Sequence, residues 1–453
     1  MSETKIVVLD DDPTGSQTVH GCLLLTRWDV DTLKTALRDA SPLFFVLTNT
    51  RGMDASQAAK ITREVCQNLR VALNELKVVG KTINPIMVSR SDSTLRGHYP
   101  VETDVIAEEM GPFDGHFLIP AFFEGGRITK DGMHYLMVDG NLVPVHETEF
   151  AKDSVFGFTT SFMPDYVEEK TKGRIKADDV KHFTLDDVRS NCLTQLLYLQ
   201  NNRCCVVDCV QQSDLDMFAQ EIRKAAEQGK RFLFRSGASL LTSLAQLPKQ
   251  PIAAEAMYEY VRDGKPGAII IGSHVKKTTS QLLELLKQPG VVAVEIDVAR
   301  IEKESDALLK NVIETVNTAH ERGDTPAIYT SRVEMTFPDQ QVRLKFGETV
   351  SGFLMDVVRN LPEDIGFLIS KGGITSNDVL SSGLALQTSR VVGQILAGCS
   401  VVRCPQSHAR YPDLPVVIFP GNVGDEYALA TVYSRLSGQQ TDSSTGVEQA
   451  ASA

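Results

Sequence analysis

Short apolar runs alternate along the chain with longer stretches of helical period. In the first third, residues 6–9, 44–47, 86–88 and 117–119 are continuously apolar. Strands covered on both faces read this way, and their alternation with helical segments is the pattern of βαβ units around a largely parallel sheet. Runs at 204–207 and 231–234 extend the series. A break follows, where Leu247-Pro248-Lys249-Gln250-Pro251 and Asp263-Gly264-Lys265-Pro266-Gly267 carry turn-forming residues. A second series then runs through 268–271, 291–296, 327–330, 366–369 and 415–419. The predicted fold class is α/β with two domains, each holding a largely parallel sheet flanked by helices. The domains are expected at 1–250 and 265–436, with a disordered tail over 437–453. A length of 453 residues also favours two cores over one. Between 152 and 189 the pattern weakens and charge rises through Glu168-Glu169-Lys170 and Asp186-Asp187, which predicts a solvated helical excursion.

Each early strand runs directly into polar residues: Asp10-Asp11-Asp12-Pro13-Thr14-Gly15, then Thr48-Asn49-Thr50-Arg51, then Ser89-Arg90-Ser91-Asp92-Ser93-Thr94, then the segment from Pro120 to Arg127. Ligands of open α/β sheets bind beyond the carboxyl ends of the strands, so these clusters should share one crevice. Asp, Ser and Thr after a strand are also ordinary helix caps. The coincidence of carboxylates with several arginines favours function. Carboxylates can deprotonate a hydroxyl or hold magnesium, and Arg51, Arg90, Arg96 and Arg127 suit a substrate carboxylate. The turn Arg235-Ser236-Gly237 is a further candidate for the same crevice.

In the second series the strand ends carry glycines and hydroxyls instead: Gly272-Ser273, Lys371-Gly372-Gly373-Ile374-Thr375-Ser376 and Pro420-Gly421-Asn422-Val423-Gly424. Glycine lets backbone N–H groups approach phosphate oxygens, Thr375 and Ser376 can cap a helix or bind phosphate, and Lys371 can add charge. No Walker A motif is present and no Gly-x-Gly-x-x-Gly opens the first helix.

The formal net charge of -12 argues against nucleic acid as a partner. No basic or apolar leader opens the sequence and no run reaches the ~18 apolar residues of a membrane span, so a cytoplasmic protein without a membrane partner is expected. Cys204, Cys205 and Cys209 lack zinc-site spacing, so no protein-held metal is expected beyond Mg2+ carried by a nucleotide. His98 and His274 lie beside the polar turns and read as hydrogen-bonding neighbours.

Asp11-Asp12-Pro13-Thr14-Gly15, Ser91-Asp92-Ser93-Thr94-Leu95-Arg96-Gly97, Pro120-Ala121, Gly272-Ser273, Gly372-Gly373-Ile374-Thr375 and Gly421-Asn422-Val423-Gly424 resemble, in this order, the landmarks of the four-carbon acid sugar kinase family. The resemblance implies an N-terminal acid-sugar domain, a C-terminal ATP domain, and ATP with Mg2+ as cofactors. Threonate, erythronate and 3-oxo-tetronate are the implied substrate type, and a homodimer is compatible with it. Sugar contacts are implied around Asp11, Asp12, Asp92, Arg96 and Arg51, with Thr14, Gly15, Arg90, Ser93, Thr94 and Arg127 beside them. Nucleotide contacts are implied at Ser273, at Gly372, Gly373, Ile374 and Thr375, and at Gly421, Asn422 or Gly424. Either Asp12 or Asp92 is the expected catalytic base. Pro13-Thr14-Gly15-Ser16-Gln17 departs from the commoner aromatic-Thr-Gly-Ala, and Ile374 stands where many members carry an acidic residue. Two other readings compete: Asp10 as the nucleophile of a haloacid-dehalogenase-like phosphatase, and a non-catalytic two-lobed metabolite-binding protein.

Overall fold

A computed structural model describes residues 3–332, 335, 337, 340–421 and 423–438. The predicted tail from 439 onward and Asn422 lie outside the described residues. The strands, in chain order, are β1 (Glu3–Asp10), β2 (Leu23–Leu25), β3 (Leu43–Leu47), β4 (Ile83–Arg90), β5 (Gly115–Ile119), β6 (Arg127–Lys130), β7 (Met133–Val138), β8 (Asn141–Pro144), β9 (Lys181–Phe183), β10 (Arg203–Val207), β11 (Phe232–Ser236), β12 (Ala268–Ile271), β13 (Val291–Ile296), β14 (Thr325–Thr330), β15 (Leu368–Lys371), β16 (Thr388–Leu396), β17 (Cys399–Arg403) and β18 (Pro415–Phe419). Every apolar run read as a strand is one. The fold is α/β and the sheet is mostly parallel, as expected.

The strands of both halves form one continuous sheet of order β13-β14-β12-β15-β18-β17-β16-β2-β3-β1-β4-β11-β5-β10-β9. From β2 to β9 all neighbours are parallel, as they are from β13 to β18. The join is antiparallel, through β18, β17, β16 and β2. Its cause is local: β2 has three residues, all buried, and would otherwise leave an open sheet edge. β16 fills it, pairing Thr388, Ser389 and Arg390 with Leu25, Leu24 and Leu23. Arg390 adds a two-pronged contact to Asp39 at 2.9 and 2.7 Å.

Helices cover both faces. The helix Ala55–Val78 begins in a capping box, Asp54 accepting from the Gln57 amide at 2.9 Å and Gln57 accepting from the Asp54 amide at 3.3 Å. Its residues Val65, Leu69 and Leu76 face β1, β3 and β4, each buried apolar side chain contributing ~1.5–3 kcal/mol. On the opposite face Phe117 meets Phe183, Phe218, Phe232 and Phe234. The stretch 152–189 differs from the expected solvated excursion. Met163, Tyr166 and Val167 lie on one face of the helix Met163–Lys170 and build a core of their own with Leu95, Tyr99 and Leu118. The Tyr166 hydroxyl donates to the Leu95 carbonyl at 2.8 Å. The small sheet β6-β7-β8 stands beside this core. Among the described residues no helix is long and apolar enough to cross a membrane.

Candidate active site

β1 lies between β3 and β4, and the chain, having placed β2 and β3 on one side of it, crosses over to place β4 on the other, so a crevice opens beyond its carboxyl end. The aspartate turn sits there. Asp12 accepts from the Thr14 amide at 2.9 Å and from the Thr14 hydroxyl, which locks the turn. Gly15 packs directly on Asp10: a Cβ at Gly15 would stand 1.9 Å from Asp10 Oδ2. Asp10 is fully buried, Oδ2 has no hydrogen-bond partner, and burial pushes its carboxyl well above the usual carboxylate range. An aspartate buried under Gly15 in this way is no open nucleophile, which removes the observation that favoured a phosphatase.

Arg51, at the end of the β3 loop, closes over the turn. Nε and Nη2 donate to the two oxygens of Asp11, at 3.2 and 2.5 Å, and Nη1 to Asp12 Oδ2 at 3.2 Å. Burial would raise the Asp12 carboxyl, but Arg51 and the Thr14 donors outweigh it and hold it below its ordinary value. Asp11 also accepts from Ser91 Oγ at 2.6 Å. Ser91 in turn accepts from Arg235 Nη2 at 3.1 Å.

The β4 turn carries Asp92, which accepts from Thr94 and, at 2.7 Å, from Arg96 Nε. Burial opposes ionisation here too, yet Arg51 and Arg96 keep the Asp92 carboxyl far below its usual range. Leu95 takes a positive φ of 71°, held by Tyr166, and Gly97 has φ 119°. A Cβ on Gly97 would lie 2.3 Å from Ser91 Oγ, so the turn requires glycine. Ser93 presents its carbonyl to His134 Nε2 at 2.8 Å, and Thr129 Oγ1 is 2.9 Å from His134 Nδ1. Burial holds the His134 ring neutral, with its pKa down to about 4. Arg127, which begins β6, donates Nη1 to the Gly125 carbonyl, and its buried Nε has no acceptor.

The three glycine turns of the second half converge. A Cβ on Gly372 would lie 3.2 Å from Ser273 Cβ, one on Gly421 3.5 Å from Ser273 Oγ, and one on Gly272 2.4 Å from Thr375 Oγ1. Ile374 stands exposed at the mouth. Gly424, with φ 77°, is glycine for another reason: its nearest neighbours are Ala428, Leu396 and Gln281, with Ala428 Cβ only 2.3 Å from an added Cβ. Lys371 does not reach toward a phosphate. It is fully buried, donates to the carbonyls of Pro420 at 2.6 Å and Gly421 at 3.2 Å, and lies 4.0 Å from the Phe419 ring centroid. Burial lowers its pKa to about 7. Lys371 therefore ties two of the glycine turns together.

The two strand-end clusters also meet each other. A Cβ on Gly373 would stand 3.7 Å from Asp12 Oδ2. The glycine turn and the aspartate turn thus face one another across ordinary contact distance.

Two residues near the site, Glu102 and Arg332, went unassigned in the sequence, and a third, Arg235, was placed only as a further candidate. Glu102 accepts from Thr50 Oγ1 at 2.5 Å, and burial, then Asp11, raise its carboxyl to about 7. It lies in a helical stretch with no local mark. Arg235 carried only the weaker indication of its strand-end turn. Arg332 follows β14 and donates to the Ser273 carbonyl at 2.7 Å, with its buried Nη1 unpaired. It obeys the strand-end rule applied elsewhere and could have been found by it.

The family model described as a sugar-binding N-terminal domain matches residues 6–244, and that described as a nucleotide-binding C-terminal domain matches residues 268–429. A D-erythronate kinase of Heliobacterium modesticaldum is 23% identical over 400 residues, covering 82% of this chain and 83% of that protein. A Salmonella typhimurium LT2 protein, provisionally described as a tRNA synthase, superposes with a TM-score of 0.68 at 18% identity, over 96% of this chain and 98% of that one. A Haemophilus influenzae protein superposes with a TM-score of 0.64 at 16% identity, over 95% of this chain and 100% of that one. These two structures share the fold. With both domain models matched in order along nearly the whole chain, the protein belongs to the four-carbon acid sugar kinase family.

Proposed function

We propose that this protein is an ATP-dependent kinase that phosphorylates a hydroxyl of a small acid sugar, D-erythronate, threonate and a 3-oxo-tetronate being the first candidates. The observation that carries the reading is the approach of Gly373 to Asp12 Oδ2. Phosphoryl transfer needs positioning, charge neutralisation and a base near the attacking oxygen. Asp12 is the carboxylate beside the glycine turns, so it takes the proton from the acceptor hydroxyl. Asp92, Ser93, Thr94 and Arg96 orient the remaining hydroxyls, and Arg51 fixes Asp11 and Asp12. Ser273, Gly372, Gly373, Thr375 and Gly421 receive the phosphates, with Arg332 beside Ser273. Magnesium usually keeps several waters, so an ion carried by the nucleotide would leave Asp12 free to act as the base. Such an ion would neutralise charge on the β- and γ-phosphates. The reading places the protein in the cytoplasm, and leaves room for a homodimer.

The test is a coupled ADP-release screen over four- and five-carbon sugar acids. Release with at least one acid, well above that with ATP alone, is expected. No release with any of them, from a protein whose melting temperature rises with ADP, would reject the reading.

A further inference from the structure

The three glycine turns of the second half are joined on their buried side by one ammonium and one hydroxyl. Lys371 Nζ donates to the carbonyls of Pro420 and Gly421, and Thr278 Oγ1 lies 3.2 Å from the same Gly421 carbonyl and 3.1 Å from Ser273 Oγ. Lys371 and Thr278 are both fully buried. The row therefore fixes the chain just beyond the ends of β12, β15 and β18 relative to one another. Direction matters as well as distance. A trans peptide is planar, with its C=O and N–H pointing opposite ways. With the Pro420 carbonyl turned to Lys371, the N–H of Gly421 points away from the buried ammonium.

Lys371 has no counter-charge in this arrangement. No carboxylate among the described residues lies within 4.0 Å of its ammonium, and the two carbonyls and the Phe419 ring supply only partial charges. Its sheet neighbours Ile271 and Phe419 are uncharged. Two titratable groups bear on it: Cys399 on β17, whose thiol burial keeps neutral, and Lys277 in the first turn of the helix Lys276–Leu285, whose like charge opposes it. Burial is the largest influence and brings the pKa to about 7, so near neutral pH a good part of the population is uncharged. A neutral amine donates more weakly to a carbonyl than an ammonium does. An anion bound on the turns favours the charged form, and by reciprocity the charged form favours the anion.

We propose that Lys371 is the positioning residue of the phosphate receptor: its charged form turns the Gly421 amide toward the nucleotide's phosphates, and their binding draws a proton from the buffer onto its amine. The assignment rests on the reading of the glycine turns as the nucleotide site. It makes nucleotide affinity fall as pH rises above neutrality.

The experiment measures ADP binding by calorimetry for wild type and Lys371→Met, between about pH 7 and about pH 8.5, in pairs of buffers with low and high ionisation enthalpy. Wild type is expected to take up about half a proton per ADP near the middle of that range and to lose affinity ~10-fold across it. Lys371→Met is expected to bind ADP ~10-fold more weakly than wild type at the lower pH, the worth of a hydrogen-bonded charge. Its affinity should then stay level across the range, without the wild-type uptake. The difference between the two proteins cancels the proton that ADP itself carries. Equal uptake and equal pH dependence in both would mean that Lys371 only braces the turns, which overturns the proposal and leaves the nucleotide reading standing. A level wild-type profile overturns it in the same way. Should Lys371→Met fail to fold, wild-type uptake decides alone: about half a proton supports the proposal, and none overturns it. If ADP does not bind wild type at all, the nucleotide reading fails and the proposal falls with it.

Discussion

Replacing Asp12 by Asn lowers turnover with the acid sugar at least ~100-fold, the usual worth of a general base. The variant is close to isosteric. Its side-chain oxygen can still accept from the Thr14 amide and hydroxyl, so the turn keeps its shape. What disappears is the carboxylate oxygen that faces Gly373. Arg51 loses its 3.2 Å contact to Asp12 but retains both bonds to Asp11, so the melting temperature should move little. Steady-state kinetics in the coupled assay, alongside thermal melting, measure this. Near-normal turnover in a folded variant would remove Asp12 from its role and leave Asp92 as the base.

Replacing Arg51 by Met destabilises the protein by about 3 kcal/mol, because it strands a buried carboxylate. Asp11 is 2% exposed at its side chain and would keep Ser91 Oγ but lose both bonds from Arg51. Lysine at this position should recover only part of the loss, since an ammonium cannot span both oxygens of Asp11. The pH dependence has a definite sign. Arg51 helps hold Asp12 and Asp92 below their ordinary pKa of 3.8. A depressed carboxyl contributes stability above that value and loses it as pH falls through the folded-state pKa. The gap between wild type and variant should therefore be widest near neutral pH and narrow below about pH 4. Urea unfolding across that range measures it. A gap under about 0.5 kcal/mol at neutral pH would mean that Arg51 behaves as a surface ion pair.

The strands were legible because parallel strands buried on both faces have continuous apolar sequences, as β1, β3 and β18 do. Their joining into one sheet was not. β2 has three residues, too few for a periodic signal, and β16 mixes buried and half-buried positions, with three buried in succession, instead of running continuously apolar. The pairing of the two is a tertiary choice between sheet edges. Most of the candidate site was visible from polar residues at strand ends, since strand ends of both halves carry it. Pairing was invisible: nothing local says that Arg51 and Arg96 are spent on aspartates, or that Arg90 faces Asp10 from the neighbouring strand. Gly424 and Lys371 look like their neighbours in the sequence, yet Ala428 explains the first and backbone carbonyls hold the second. Glu102 comes to the site only because the helix Val101–Met110 packs behind the β3 loop.

The central claim is direct transfer from a nucleotide on the glycine turns to a sugar hydroxyl beside Asp12. Incubating the protein with ATP labelled in its γ-phosphoryl group, with and without the acid sugar that gives ADP release, and separating protein, phosphate and sugar tests it most directly. The account predicts label on the sugar acid alone, at the rate of ADP release. Label accumulating on the protein at Asp10, or appearing only as inorganic phosphate, would contradict it.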